Sequence, residues 1–289
     1  MKNIKILLIL SIFAFTAFKS DKPVYFLFNK EGKAIKYTKI MKELKDADVV
    51  LFGELHNNPI SHWLQLELTK DLYELKNDNL VLGAEMFETD NQLILDEYLR
   101  GIITKGRFEA EARLWPNYKT DYKALVEFAK DSSLNFIATN VPRRYASLVN
   151  SEGLEGLEEL SDDAKKFIPT LPIAYDSTLT CYKSMLEMGG GMGSHITANF
   201  PKAQAIKDAT MAHFLLKNWE EGKLFLHFNG AYHSDNFESM NWYLKQANPR
   251  LKILTITTVS QADIKKLSEG NKGKADFTIC VVDNMTTTY

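Results

Sequence analysis

Two short motifs, Gly53-Glu-Leu-His56 and Gly230-Ala-Tyr-His233, each set a histidine three residues after a glycine at the end of an apolar run. Val49-Val-Leu-Phe leads into the first and Leu224-Phe-Leu-His-Phe-Asn into the second. Such runs read as strands, and parallel sheets gather their sites outside the carboxyl ends of strands. Glycine at that position would let the backbone turn sharply. Glu54 and His56 then offer a carboxylate and an imidazole, ligand types that suit a borderline divalent ion such as zinc. A single histidine in a turn is an ordinary structural residue. The return of the pattern is what points to a shared site. His227 lies inside the second run and is expected to be a hydrogen-bonded core residue.

Two further runs end in polar groups. Leu80-Val-Leu-Gly-Ala-Glu-Met-Phe-Glu88 brings Glu85 to a strand end, and Phe136-Ile-Ala-Thr-Asn-Val-Pro-Arg-Arg144 brings Asn140, Arg143 and Arg144. Together these ends would form a polar cleft suited to a metal with an anionic ligand, or to acid/base chemistry. On the hydrolytic reading, His56, Glu85 and His233 hold a divalent metal ion, with Glu54 the other available acid. The metal and the remaining glutamate activate a water, and Arg143 or Arg144 stabilises developing negative charge. The plainer alternative for Glu85 and the arginines is solvated surface ion pairing.

Positioning four strand ends requires a sheet. Strands are expected at Val49 to Phe52, Leu80 to Ala84, Asn135 to Ala138, Leu224 to Phe228, Ile253 to Ile256 and Phe277 to Val282. Helical patterns at Ser61 to Lys76, Asn91 to Leu99, Tyr122 to Lys130, Lys202 to Trp219 and Phe237 to Gln246 lie between most of them. A hairpin is expected over Val24 to Phe28 and Lys33 to Tyr37, leading into a capped helix at Thr38. The alternation predicts an α/β fold, a mostly parallel sheet with helices on both faces. Residues 142–201 show no strand pattern and several prolines and glycines, and read as a helical insertion over one sheet edge within a single domain, 21–289.

Composition narrows the partners. Lys and Arg total 35 against 37 Asp and Glu, evenly interspersed, so no field gathers nucleic acid. The start, Met1-Lys-Asn-Ile-Lys5 followed by an apolar run from Ile6 to Phe18, is a secretory signal pattern, so an exported mature chain beginning near residue 20 is expected. Cys181 and Cys280 both lie in regular patterns, and neither follows the apolar run where a lipid-modified cysteine would stand. They read as two buried free thiols, with a disulfide the alternative.

Taken together, Gly53-Glu-Leu-His56, Gly83-Ala-Glu-Met-Phe87, Trp115, Asn140-Val-Pro-Arg143, Gln204-Ala-Ile-Lys-Asp-Ala-Thr-Met-Ala212 and Gly230-Ala-Tyr-His233 resemble the ChaN-like haem-binding uptake proteins of the Tiki superfamily. The resemblance runs over roughly Asp48 to Pro249. It implies a cell-envelope or periplasmic protein of haem or iron uptake, with haem as ligand and an outer-membrane haem receptor and a second copy of the chain as partners. It also implies kinship with metal-dependent proteases and esterases, so a metal-dependent hydrolase is the alternative function. Haem ligation in the family is associated with tyrosine. Met185, Met188 and Met192 recur at helical spacing ahead of His195, with Tyr175 and Tyr182 nearby, and a flat apolar cofactor could rest there with tyrosine or histidine on the iron. The same methionines could instead fill gaps where the insertion packs. In the helix that follows, Asp208 shares a face with Met211, Ala212 and Leu215, an acid placed to support a cleft histidine.

Overall fold

Val49 and Leu51 face one side of their strand and Val50 and Phe52 the other, and all four are fully buried in separate apolar clusters. A run that is apolar at every position rather than every second one is the mark of a strand covered on both faces. The computed structural model describes residues 21–189 and 197–289, with 187–189 described by backbone alone. Its elements in chain order are β1 (Tyr25–Asn29), α1 (Tyr37–Leu44), β2 (Val49–Glu54), α2 (Pro59–Lys76), β3 (Leu80–Glu88), α3 (Gln92–Leu99), α4 (Lys105–Glu111) and α5 (Lys123–Asp131). There follow β4 (Phe136–Asn140), α6 (Arg143–Glu152), α7 (Asp162–Lys165), α8 (Thr180–Gly189), α9 (Phe200–Asn218), β5 (Leu224–Gly230), α10 (Met240–Ala247), β6 (Ile253–Gln261) and β7 (Phe277–Val282).

The seven strands form one sheet in the order β1-β7-β6-β2-β5-β3-β4, parallel except for β1 against β7. The expected α/β class is therefore the observed one. From β2 the chain steps out to β3 and β4, returns to β5 beside β2, and crosses β2 to β6. That reversal next to β2 is where sheets of this kind leave a crevice at their carboxyl ends. Residues of α2 and α5 pack on one face of the sheet. On the other lie α9 and α10, whose Ala209, Met211, Leu215, Met240 and Leu244 meet Val49, Leu51, Val81 and Phe225. Helix α9 is enclosed by β4, α6, α8 and α10, which is why its buried residues, from Ala203 to Leu215, are not confined to one stripe.

The edge at β4 is closed by one side chain. Gln92 of α3 donates from Nε2 to the Phe136 carbonyl (3.1 Å) and accepts the Ala138 N–H at Oε1 (2.6 Å), taking the positions another strand would use.

The expected hairpin closes only at its turn. Phe28 bridges Ala34 antiparallel, with the Asn29 N–H on the Lys33 carbonyl (3.0 Å) and the Ile35 N–H on the Leu27 carbonyl (2.8 Å). No second strand follows and the ladder of β1 belongs to β7, while α1 begins at Tyr37 behind Lys36 with no side-chain cap. Helix α2 starts earlier than its apolar period suggested, because Asn58 Oδ1 accepts the N–H groups of Ile60 and Ser61 (3.0 Å each) with Pro59 in the first turn. Between 142 and 201 the described residues hold α6, α7, α8 and the start of α9, and no strand. Cys181 and Cys280 are buried free thiols. No described helix is long and apolar enough to cross a membrane, and the expected signal, 1–20, lies outside the described residues.

Gly53 does not turn the chain, as its motif suggested. It sits inside β2, with no left-handed backbone. A Cβ there would lie 2.8 Å from the Ala231 Cα and 3.0 Å from the Ile256 carbonyl, both backbone atoms that cannot swing aside. Gly53→Ala should therefore cost about 1–3 kcal/mol, as overpacking does. Gly106→Ala, in α4 with open space around it, should be neutral or slightly stabilising. Thermal unfolding of the two variants checks this, and equal melting temperatures would refute the close-approach reading.

Candidate functional site

The register pairs Glu54 of β2 with Gly230 of β5, so the two motifs leave adjacent strands side by side. Gly53 makes room for Ala231, and Gly230 makes room for His56: a Cβ on Gly230 would stand 2.7 Å from His56 Nε2 and 2.8 Å from Cε1. The His56 ring lies edge-on to Trp115 at 5.1 Å. Its Nδ1 is 2.8 Å from Glu54 Oε1, and since a carboxylate only accepts, Nδ1 carries the proton and a neutral ring keeps its lone pair on Nε2. Glu54 is buried and also accepts from the Tyr122 hydroxyl (2.6 Å) and from Gln65 Nε2. A π-helical turn, Tyr118–Tyr122, delivers Tyr122. Burial pulls the His56 imidazole down, but the Glu54 hydrogen bond and the Glu85 charge outweigh it and leave His56 above its ordinary value.

Beside this pair lies a buried chain of charge. His233 Nδ1 stands 2.6 Å from Asp208 Oδ1 and its Nε2 3.4 Å from Glu85 Oε1. Tyr182 donates its hydroxyl to Asp208 Oδ2 (2.8 Å), and the Gly230 N–H donates to Glu85 Oε2 (2.7 Å). Burial would depress His233, yet the carboxylates of Glu85 and Asp208 on either side hold it up at about 10. Burial would likewise raise Glu85, and the His233 charge holds it well below the usual carboxylate range. His227 is the core residue it was expected to be, with Nε2 on Thr139 Oγ1 (2.8 Å), Nδ1 on Asn229 Oδ1 (3.2 Å) and burial pressing it down to about 4.

These groups open on a cleft of about 690 Å³ lined by His56, Glu85, Asn140, Arg143 and His233 from the strand ends, with Trp115, Val141, Ala146, Met185, Phe200, Ala203, Lys207 and Tyr232 around them. The four strand ends thus converge, and Arg143 stands at the rim. Among the described residues no three His, Cys, Asp or Glu side chains are placed to hold a metal ion. The donors expected to do so, His56, Glu85 and His233, are instead engaged with one another, with Asp208 and with Glu54. Arg144 is paired with Asp90 (2.6 Å).

Of the residues around the insertion expected to carry a flat cofactor, Met185 of α8 forms part of the wall of this cleft. Tyr182 is fully buried with its hydroxyl on Asp208, and Tyr175 packs on it at 5.4 Å, so neither tyrosine lines the cleft. His195, Met192 and the Met188 side chain lie outside the described residues. Sequence reasoning placed Asp208 on the right helix face, but it missed Tyr122, Gln65 and Lys207. An aromatic hydroxyl and a helix amide, 68 and 11 residues from Glu54, carry no local signal. Lys207, next to Asp208, could have been found from the same helix.

The buried histidine makes a pH-dependent claim. A histidine whose folded pKa is raised stabilises the fold fully below the unfolded value, about 6.5, and loses that contribution as pH rises through the folded value. The window for His233 therefore runs from about 6.5 to about 10. His233→Gln should cost about 3–5 kcal/mol near pH 6, as breaking a buried ion pair does. Its deficit relative to the parent chain should shrink steadily toward pH 10. Denaturant unfolding across that range tests it, and a deficit independent of pH would show that His233 is not held protonated.

ChaN of Campylobacter jejuni, solved in a study of its cofacial heme binding, superposes with a TM-score of 0.67 at 17% identity, over 89% of this chain and 96% of that one. A Bacillus cereus protein superposes with a TM-score of 0.50 at 12% identity, over 86% and 90%. These likenesses speak to the fold. In sequence, the chloroplastic Protein RETICULATA-RELATED 5 of Arabidopsis thaliana is 24% identical over 199 residues, 64% of this chain and 26% of its own length. The chain thus spans about a quarter of that relative. The family model described as haem-binding uptake, Tiki superfamily, ChaN matches residues 40–244. With that match over most of its length, the chain belongs to the ChaN haem-binding uptake family of the Tiki superfamily.

Proposed function

We propose that the strand-end cleft is a haem site and that the protein serves haem or iron uptake outside the cytoplasm. The observation that carries this is the union, in one cleft, of an apolar wall with an imidazole held at one nitrogen and open at the other. Val141, Ala146, Met185, Phe200, Ala203 and Trp115 supply the apolar surface. The volume lies within the range of sites that enclose cofactors. Asn140 also fits a ligand-bearing cleft: its Nδ2 donates to the Glu85 carbonyl (2.9 Å), while its buried Oδ1 has no partner among the described residues.

Haem would bring an iron that takes a nitrogen, oxygen or sulfur ligand. Among the described cleft residues, His56 is the one prepared to supply it, because Glu54 holds Nδ1 and keeps Nε2 basic, the support usual for ligating histidines. Tyr232, also in the wall, already donates its hydroxyl to the Cys181 carbonyl. His233 is committed at both nitrogens to Asp208 and Glu85. The basic, then apolar, start of the chain supports export, and an outer-membrane haem receptor is the source consistent with that location.

Haem titration of the purified chain should give a saturable Soret band. Ser147 is exposed on α6 and lines the cleft, so Ser147→Trp should block it and weaken haem at least about tenfold, near 1.4 kcal/mol, with the melting temperature unchanged. His56→Ala should move the Soret band. Absence of saturable binding by the parent chain, or binding by Ser147→Trp equal to it, would exclude this cleft as the haem site.

A further inference from the structure

The charges around the cleft do not cancel. Its acids are Glu85 and Glu88, and its basic side chains are His56, His233, Arg143 and Lys207. Glu85 is taken up by His233 and the Gly230 N–H, and Glu88 by Arg113 at 3.1 Å. His56 has Glu54 at 2.8 Å and His233 has Asp208 at 2.6 Å. Among the described residues, neither Arg143 nor Lys207 has an ion-pair partner, whereas Arg113 and Arg144, close by, are both tied to Asp90. The paired arginines hold the rim together. The unpaired cations face the space where a ligand would sit.

Their placement sharpens the point. Arg143 opens α6 and Lys207 lies on α9, two helices packed against each other through Ala146, Val149, Ala203 and Ile206. Arg143 also borders a second cleft of about 660 Å³, formed with Arg113, Leu114, Trp115, Pro116 and Arg144, and so marks the junction of the two. We propose that Arg143 and Lys207 make this a site for a dianion, each cation meeting one carboxylate at the edge of a flat apolar ligand. This rests on the haem reading, since haem carries two carboxylates on one edge of an apolar disc. A guanidinium meets a carboxylate through two parallel N–H donors, and an ammonium through one, so Arg143 is the more geometrically demanding of the pair. Selection by two unpaired cations also disfavours neutral macrocycles of the same shape, because binding one sets an apolar edge against both cations and gives neither a carboxylate.

The test compares haem with haem dimethyl ester, in which both carboxylates are masked, by Soret titration of the full chain. The parent chain should bind haem at least about tenfold more tightly than the diester. Arg143→Leu and Lys207→Met should each weaken haem about tenfold and leave diester affinity unchanged, which shows in the same measurement that the cleft is intact. Arg143→Lys should recover part of the loss. If the variants bind haem as the parent does, or lose haem and diester in equal measure, the two cations do not read the carboxylates and the proposal falls. If the parent binds neither porphyrin, the haem reading fails and takes this inference with it, a result distinct from either of those.

Discussion

Each of the two motif glycines omits the side chain that would collide with the other motif. Gly53 admits the backbone at Ala231, and Gly230 admits the ring of His56. Adjacent parallel strands lie about 4.8 Å apart, too close for two ordinary turns to cross without one yielding. The missing Cβ atoms resolve that crowding and lock the two histidine-bearing turns together. Everything that follows at the site depends on this interlock. It brings His56 against Gly230, puts the Gly230 N–H on Glu85, and sets His233 between Glu85 and Asp208.

Burying so much charge is tolerable only because almost every group in it is answered. An isolated ion in such a place would neutralise or unfold its surroundings. Here Glu54 collects three donors, from His56, Tyr122 and Gln65, and Asp208 two, from His233 and Tyr182. The supporting donors come from α2, α8 and the π-helical turn before α5, so helices on both faces of the sheet converge on its carboxyl edge. The same network explains the absence of a three-donor metal set among the described residues: carboxylates and imidazoles that satisfy one another have few lone pairs left to offer.

Much of this was legible in the sequence, and the part that was not shares a cause. Apolar runs before Gly53, Gly83 and Gly230, the last interrupted by His227 and Asn229, announced buried parallel strands, and the polar residues after them announced a cleft, because strand direction and chemistry are both local. The face of α9 that bears Asp208 was legible by its period. The strand expected at Lys33 to Tyr37 failed because β1 found its partner in β7, some 250 residues away, and alternation alone does not name a partner. The role of the glycines was misread for a similar reason. A glycine needed for left-handed backbone and one needed for space look alike in sequence, and only the neighbouring strand distinguishes them. Tyr182 illustrates the same limit from the other side: its type suggested an iron ligand, yet its hydroxyl is committed to Asp208.

Where polar groups are paired off so completely, selectivity belongs to the few that are not. Among the described residues of this cleft those include His56 at Nε2, Asn140 at Oδ1, and the cations Arg143 and Lys207. On the proposed reading, a nitrogen lone pair, an amide oxygen and two positive charges, set against an apolar wall from α6, α8 and α9, suit a ligand that is broad and apolar, takes a nitrogen ligand at its centre and carries negative charge at its edge. A small polar substrate would leave the wall formed by Val141, Ala146, Met185, Phe200 and Ala203 wetted and both cations only partly answered. The interior network and the open cleft are therefore complementary consequences of one arrangement. The first spends the charges that fold the site, and the second presents those that remain.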